Sequence, residues 1–183
     1  MNESMQMFTD LRGPHFFLRK MNDQDIHAVY AGLSNPQVIA HYGISYASLD
    51  ATQVQMDWYA TIEREGSGIW WAICDPKSPS TLMGACGFNG KNPEHKTIEV
   101  GYWLLPEHWK RGVMSECLPM ALKYAFEALA VHRVEAVVEP ANVASVRVLE
   151  ATGFRCEGIK RECEWKDGQP LSLLIYSRLA TDI

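Results

Sequence analysis

Apolar runs and helically spaced apolar residues alternate along the chain, and each pattern predicts one kind of element. Short runs rich in apolar, β-branched and aromatic residues predict strands. The predicted strands, in chain order, are His15–Lys20, Ile69–Cys74, Leu82–Asn89, Thr97–Leu105, Arg133–Val138, Phe154–Ile159 and Leu171–Arg178. Four helices are predicted. The first follows Asn22 and reaches Leu33, and the second carries the apolar stripe Val54, Trp58 and Ile62. The other two span Gly112–Ala130 and Asn142–Thr152.

Polar residues, glycine and proline mark the expected ends of these elements. Asn22 is a predicted N-cap, and Asp50 with Gln53 resembles a capping box. Pro119 is expected to bend its helix or to mark the end of the first turn, and Gly153 is expected to end the helix that starts at Asn142. Three connections are predicted: Ser34–Ser48 is an irregular segment, Asp75–Ser80 is a longer hairpin loop, and Asp167-Gly168 is a tight turn.

A strand, a helix and a second strand follow one another between Thr97 and Val138. This order predicts a crossover between parallel strands. Ligands of such sheets bind where a strand ends and the next helix begins. The turn between Leu105 and Gly112 is therefore the predicted binding place.

Composition narrows the class of protein. The chain has 183 residues, of which 47% are hydrophobic and 21% charged, which predicts a single domain over residues 1–183 with a core of about 15–180 and a flexible start over about 1–12. A net charge of −5 disfavours a nucleic-acid partner. The longest stretch without a charged residue, Ile26–Leu49, contains His, Asn, Pro and Gln and is not a membrane span.

Compartment and metal content are inferred from the cysteines, the histidines and the N-terminus. The start of the chain lacks a basic region followed by an apolar core. Five cysteines form no C-x-x-C pair, which is typical of reduced thiols and predicts a cytoplasmic protein. Histidine spacing predicts no metal site. Cys117 and Cys156 are predicted to be core residues, because neither has an evident histidine partner for nucleophilic chemistry.

The predicted turn carries groups that suit a phosphate. Gly112 permits close backbone approach, and the amides of Arg111 to Ser115 are expected to be free at a positive helix N-terminus. Lys110 and Arg111 add positive charge to an otherwise acidic chain. The alternative is a solvated basic turn that caps a helix. A phosphate loop at 85–92 is rejected, because its leading glycine is missing and Asn92 replaces the metal-binding hydroxyl.

Two runs of sequence resemble consecutive segments of one family. The run T-I-E-V-G-Y-W-L-L-P-E-H-W-K-R-G-V-M-S-E (97–116) and the run E-P-A-N-V-A-S-V-R-V-L-E-A-T-G-F-R-C-E-G (139–158) resemble the GNAT superfamily of N-acetyltransferases, most closely the ribosomal-protein (Rim-type) branch. The resemblance extends from Phe17 to Arg178. It implies an α/β GNAT fold, with a mixed, mostly antiparallel twisted sheet of about seven strands, a central parallel pair splayed around acetyl-CoA, and helices on both faces.

The resemblance also implies a site for acetyl-CoA as cosubstrate. The family's diphosphate loop reads Gln/Arg-x-x-Gly-x-Gly/Ala, and aligned on Gly112 it places Trp109 first and Met114 last, both of which depart from that pattern. The Met114 side chain would crowd a diphosphate unless it points into the core. The expected cofactor-binding residues are Trp103, Leu104, Leu105, Lys110, Arg111, Gly112, Val113, Met114, Ser115, Asn142 and Ser145.

Three polar residues have both a structural and a functional interpretation. Asn142 and Ser145 share a helix face. Either they cap that helix, or, as the resemblance implies, Asn142 contacts the pantetheine arm and Ser145 lies near the thioester sulfur. Glu99, on the strand face opposite Tyr102, is either a solvated or cross-strand residue or the general base. Glu99 and Ser145 are the predicted catalytic residues.

The acceptor is expected opposite the cofactor, walled by Asn35–Leu49 and the hairpin Arg161–Pro170. His41, Tyr42 and Tyr46 are predicted to frame an amine, with loop packing as the alternative. The predicted function is acetyl transfer to a primary amine by direct attack in a ternary complex, with the N-terminal amine of a protein such as a ribosomal protein as acceptor. The alternatives are a small-molecule amine (polyamine, amino acid or antibiotic) and a non-catalytic acetyl-CoA-binding module. The expected state is a monomer or homodimer without a membrane partner.

Overall fold

A computed structural model describes residues 9–182, so most of the predicted flexible start lies outside the described residues. One sheet of eight strands runs through the molecule in the order β1-β2-β3-β4-β5-β6-β8-β7. The strands are β1 Leu11–Arg12, β2 Phe17–Lys20, β3 Ile69–Asp75, β4 Ser78–Asn92, β5 Thr97–Leu104, β6 Arg133–Val138, β7 Arg155–Lys166 and β8 Gln169–Leu179. The helices are α1 Ile26–Leu33, α2 Pro36–Ile39, α3 Leu49–Glu65, α4 Val113–Glu127 and α5 Val143–Ala151.

The sheet is antiparallel except for the pair β5 and β6. These two strands pair only through Thr97, Ile98 and Glu99, opposite Arg133, Val134 and Glu135. Beyond Glu99 the ladder stops, although both strands continue. The parallel pair therefore splits toward its carboxyl ends, as the fold class predicts.

Helices cover both faces of the sheet. On one face α4 and α5 pack against a cluster that includes Phe88, Val134 and Tyr176. On the other face α1, α2 and α3 pack against a second cluster that includes Ala85 and Trp103. Among residues 9–182, no helix has the length and apolar character needed to cross a bilayer.

Trp70 lies flat across two neighbouring strands on the α3 side. It is 5% exposed, and its ring covers Gly87 of β4 and Gly101 of β5. A Cβ at Gly87 would lie 2.3 Å from the Trp70 Cγ, and one at Gly101 would lie 2.8 Å from the far edge of the ring. Glycine at both positions is what lets the indole reach over to β5, directly beside the split.

The helix starts are partly as predicted. Asn22 caps a 3-10 turn, Asp23–Asp25, by accepting from the Gln24 amide. The predicted capping box of Asp50 and Gln53 is wrong, because Ser48 caps α3 by accepting from the Ala51 amide.

Three expected details of the first half of the chain differ in the structure. Val54 is 64% exposed and faces solvent, so it does not belong to the buried stripe of α3, which includes Met56 and Tyr59. The segment predicted as irregular contains the short helix α2, which Asn35 caps. The loop predicted over Asp75–Ser80 is shorter, because β4 already begins at Ser78.

The last hairpin is longer than its apolar runs suggested. The Asp167-Gly168 turn forms as predicted, with both residues at positive φ. The strands β7 and β8 extend to this turn from both sides, and β7 is exposed along almost its whole length. Cys156 lies on β7 and is exposed, so its predicted core position is wrong, whereas Cys117 is fully buried in α4.

Candidate functional site

The turn before α4 forms an uncapped helix N-terminus. Lys110 and Gly112 have left-handed φ values of 57° and 75°, and Gly112 occupies the N-cap position without a side chain to satisfy the first amides. Within residues 9–182 no other side chain caps this helix. The free amides and the positive end of the helix dipole create a place for an anion.

The side chains of this helix start separate into core and solvent. Val113 and Met114 are 2% and 5% exposed and pack in the core under α4. Met114 therefore points away from the turn, as its amide needs if it is to meet a diphosphate. Lys110 and Arg111 are exposed, and an Arg111 guanidinium nitrogen lies 3.3 Å from His108 Nδ1.

Trp109 links this turn to the end of β5. Its indole Nε1 donates to the Leu104 carbonyl over 2.9 Å. The Leu105 amide donates to Met83 of β4, so by the alternation of backbone groups along a strand the Leu104 amide and carbonyl point toward the split. The Leu104 amide is thus a backbone donor that faces the split, where it can hydrogen-bond a carbonyl oxygen.

The start of α5 completes the opposite wall. The Asn142 side chain accepts from the Ser145 amide over 3.2 Å, so Asn142 caps the helix. The Ser145 hydroxyl lies 2.7 Å from the hydroxyl of Tyr102 on β5. Burial raises the pKa of Tyr102 to about 12. The contact joins the two walls across the split.

A cavity of about 670 Å³ lies between these walls, a volume typical of a cofactor site. It brings together most of the predicted residues, which are His41, Tyr42, Trp103, Leu104, Lys110, Gly112, Val113, Met114, Ser115, Asn142 and Ser145. Its lining does not include Leu105, Arg111, Tyr46 or Glu99. Trp103 contributes from the back, since its side chain is buried in the cluster on the α3 side.

Glu99 lies on the other face of β5, at the last paired position before the split. Its side chain is exposed, and no side chain among residues 9–182 forms a hydrogen bond or ion pair with it. The exposure is incomplete, and partial burial of the carboxylate against the sheet and the nearby charge of Glu135 raise its pKa, while Lys160 opposes the shift. A carboxylate with a raised pKa is a better proton acceptor near neutral pH.

The segment Asn35–Leu49, predicted to wall the acceptor side, is held through His41 by a charged contact with Glu139, which follows β6, and Lys166 of β7. His41 Nδ1 lies 2.8 Å from one Glu139 oxygen, and Lys166 Nζ lies 2.7 Å from the other. Lys166 also donates to the Ala40 carbonyl. Burial alone would raise the pKa of Glu139, but the hydrogen bonds from Lys166 and His41 outweigh it and hold that pKa below its usual value.

The two predicted tyrosines of this segment differ in position. Tyr42 lines the cavity. Burial raises its pKa well above the ordinary value, and the negative charge of nearby Glu99 raises this pKa further. Tyr46 instead donates to the Gln55 side chain of α3 over 3.0 Å and does not line the cavity. This contact favours loop packing for Tyr46, the alternative interpretation, and its role in framing an amine stays a prediction.

Sequence reasoning missed several polar residues of the cavity and its rim, since Gln37 and His108 also line the cavity without having been predicted. Alternation predicts Tyr102 on the apolar strand face opposite Glu99, but it gives no sign that the Tyr102 hydroxyl reaches α5. Arg147 lies two positions after Ser145 and lines the cavity. Glu139 directly follows β6, and its position at a strand end was a usable signal.

Comparison with known proteins gives the family. The family model described as an acetyltransferase (GNAT) domain matches residues 15–155. The chain is 34% identical to the uncharacterized N-acetyltransferase YoaA of Bacillus subtilis strain 168, over 93% of this chain and 97% of that protein. It is 28% identical to the ribosomal-protein-serine acetyltransferase of Escherichia coli K12, over 54% of this chain and 55% of that protein.

A solved structure agrees with the fold. The spermidine N-acetyltransferase of Vibrio cholerae in complex with CoA and spermine superposes with a TM-score of 0.82 and 20% identity, over 93% of this chain and 98% of that one. The predicted fold class, N-acetyltransferase activity and acetyl-CoA cosubstrate are confirmed by these matches. The chain therefore belongs to the GNAT acetyltransferase family.

Proposed function

We propose that this N-acetyltransferase transfers the acetyl group of acetyl-CoA to the N-terminal α-amine of a protein, of which a ribosomal protein is the model case, by direct attack in a ternary complex. The observation that carries the proposal is the split between β5 and β6. It places a cavity with an uncapped helix start on one face and Glu99 on the other. Two reactants can therefore approach one thioester from opposite sides.

The cofactor binds on the α4 side. Its diphosphate lies on the amides of Arg111 to Ser115, and Lys110 adds positive charge at the rim. Asn142 both caps α5 and faces the pantetheine arm. The thioester carbonyl reaches the Leu104 amide, which holds the oxyanion that develops during attack.

The amine attacks from the α3 side. Its nitrogen bonds to the thioester carbon, the carbon–sulfur bond breaks, and the electron pair stays on sulfur. Glu99 takes the proton released by nitrogen through water, because its carboxylate lies outside the cavity lining. A thiol pKa of about 8.5 makes the CoA thiolate a tolerable leaving group.

The charges on the acceptor side support a peptide over a polyamine. Glu135 and Glu164 raise the pKa of Glu99 and Lys160 lowers it, and Arg133 pairs with Glu135 over 2.7 Å. This mixture of positive and negative side chains suits a peptide terminus, which has backbone dipoles and varied side chains beside its amine. A polyamine carries only positive charges and would meet cations as well as carboxylates.

The energetics of deprotonation favour the same acceptor. An α-amine has a pKa of about 7.7–8.0 and a lysine amine one of about 10.4. Reaching the neutral form at pH 7 costs about 1 kcal/mol for the former and about 4.6 kcal/mol for the latter. A single exposed carboxylate such as Glu99 meets the smaller demand.

The test is release of CoA thiol with matched acceptors. A lysine-free peptide with a free N-terminus is compared with the same peptide acetylated at its N-terminus, and with spermidine. We expect release with the free peptide alone. Release of CoA thiol with spermidine alone would establish the small-amine alternative. Binding of acetyl-CoA without release of CoA thiol in the presence of any of these amines would establish the non-catalytic module. The cytoplasmic location, the lack of a nucleic-acid partner and the monomeric or homodimeric state stay predictions.

A further inference from the structure

Tyr102 and Ser145 form a hydroxyl pair that crosses the cofactor cavity. Their oxygens are 2.7 Å apart, and both residues line the cavity. The Tyr102 hydroxyl also lies 3.5 Å from the Ser145 carbonyl. The tyrosine thus reaches from the middle of β5 to the first turn of α5, where the leaving sulfur is expected.

The direction of this hydrogen bond follows from acidity. A phenol is a stronger acid than an aliphatic alcohol, and the alcohol oxygen is the better acceptor. Burial raises the pKa of Tyr102 to about 12, so the phenol keeps its proton near neutral pH. Tyr102 therefore donates to the Ser145 oxygen, which leaves the Ser145 proton to point elsewhere.

The remaining contacts of Ser145 fix where that proton points. Its amide is held by the Asn142 side chain, which caps α5 and keeps Ser145 in the first turn of this helix. With the oxygen occupied by Tyr102 on the β5 side, the serine proton is directed into the open cavity. Hydrogen bonds in a chain polarise one another, so a serine that accepts from a phenol donates more strongly.

We propose that Tyr102 is a positioning residue that aligns and polarises the Ser145 hydroxyl toward the sulfur of the leaving CoA. This inference rests on the proposed acetyl transfer. As the carbon–sulfur bond breaks, its electron pair stays on sulfur, Ser145 donates a hydrogen bond to that thiolate, and Tyr102 donates to Ser145. Neither hydroxyl loses its proton, and the thiolate takes one from water after release.

The placement of Tyr102 separates its role from that of Glu99. The two residues are three positions apart on β5 and therefore point to opposite faces of the sheet. Charge develops on sulfur on the α5 face, while the amine proton leaves on the α3 face. Removing the Tyr102 hydroxyl is therefore expected to change leaving-group stabilisation without moving the acid limb of the pH–rate profile.

The first experiment is a double-mutant cycle on kcat with Tyr102→Phe, Ser145→Ala and the double variant. We expect Tyr102→Phe to lower kcat about 10-fold, which corresponds to the loss of one good hydrogen bond in the transition state, with an unchanged Kd for acetyl-CoA. In the Ser145→Ala background the same change is expected to have no further effect. Equal losses in both backgrounds would overturn the proposal, as would wild-type kcat in Tyr102→Phe.

A matched control is available in Tyr176. This tyrosine of β8 donates to Glu150 of α5 over 3.0 Å, so it too links a strand to α5, but it does not line the cavity. Tyr176→Phe is expected to keep wild-type kcat. A loss in Tyr176→Phe equal to that in Tyr102→Phe would assign both effects to the placement of α5 and overturn the proposal.

A second measurement needs no acceptor. The pKa of the CoA thiol bound to the protein is followed by ultraviolet difference titration of the thiolate. We expect this pKa to rise by about one unit in Tyr102→Phe, which is the same tenfold effect, and to rise in Ser145→Ala as well. If the wild type binds CoA yet acetylates no amine, the proposed function fails while this titration still decides the role of Tyr102. An unchanged thiol pKa in Tyr102→Phe would overturn the proposed positioning role of Tyr102.

Discussion

Glu99 of β5 lies opposite Glu135 of β6 at the last rung at which the two parallel strands still pair. Two carboxylates therefore share the point where the sheet begins to split. Burial and Glu135 both raise the pKa of Glu99, while Glu135 itself is partly neutralised by Arg133. The strand pairing that opens the cofactor site also tunes the group proposed to take the amine proton.

Replacing Glu99 by glutamine tests the base directly. Glu99→Gln keeps the shape of the side chain but removes proton acceptance, so kcat is expected to drop about 10²-fold or more. The loss is expected to shrink at high pH, where the amine is already neutral, and acetyl-CoA affinity is expected to stay near wild type because Glu99 lies outside the cavity.

The measurement is a pH–rate profile of both proteins with one amine acceptor. Glu94→Gln, which changes an exposed carboxylate in the turn before β5, serves as the matched control. A wild-type profile in Glu99→Gln would make this carboxylate structural and leave proton removal to water alone.

The neighbours of Glu99 are expected to move the acid limb of that profile in opposite directions. Glu135 raises the pKa of Glu99 and Lys160 lowers it. Glu135→Gln is therefore expected to shift the acid limb to lower pH, because Glu99 then ionises earlier, and Lys160→Met is expected to shift it to higher pH. Shifts of the same sign in the two variants would show that the limb reports another group.

Gly112→Asp is expected to weaken acetyl-CoA binding about 10-fold or more, because it places a carboxylate beside the helix amides proposed to receive the diphosphate. The backbone φ of 75° at Gly112 adds strain for any side chain. Gly66→Asp is the matched control, since Gly66 has a φ of 67° at the far end of α3. Calorimetry that gives equal Kd values for Gly112→Asp and Gly66→Asp would place the diphosphate elsewhere.

Acid stability is expected to depend on Glu157 of β7. Hydrogen bonds from Arg133 and Ser177 lower its pKa to about 2, below the usual value of about 4.3. A depressed pKa stabilises the fold at pH values above the usual one, and this stabilisation is lost as pH falls toward 2. Its size is modest, because the side chain is 44% exposed.

Melting temperatures between pH 2 and pH 7 test this linkage, over the window between the depressed and the usual pKa. Glu157→Gln is expected to have a lower Tm than wild type at pH 7 and to lose less Tm on acidification. Glu94→Gln controls for the removal of one charge. Parallel Tm curves for wild type and Glu157→Gln would contradict the linkage.

The element order and the place of the site follow from local patterns in the sequence. Alternation along Thr97–Leu104 placed Glu99 and Tyr102 on opposite faces, and the strand–helix order predicted the parallel pair. These features depend on residues close together in the chain. The side-chain direction of Met114 does not follow from local pattern, because the core under α4 decides it.

The errors arise where distant parts of the chain decide the outcome. Val54 has the spacing of the buried stripe, but the side of α3 that packs on β3 is set by the tertiary contact and leaves it exposed. Cys156 and Ile159 are apolar residues of β7, which is exposed along almost its whole length. Local pattern does not identify Tyr102 as a polar site residue, because its partner, Ser145, is 43 positions away.

The Trp70 ring constrains the order in which this sheet can change during evolution. At Gly87 the obstacle to a Cβ includes backbone, the Ile69 carbonyl at 2.5 Å, so this glycine stays fixed whatever residue occupies position 70. At Gly101 the nearest obstacle is the far edge of the indole. If Trp70 is first replaced by a smaller side chain, Gly101, on the strand face that carries Glu99, becomes free to vary. In the reverse order, a side chain at position 101 clashes with the Trp70 ring.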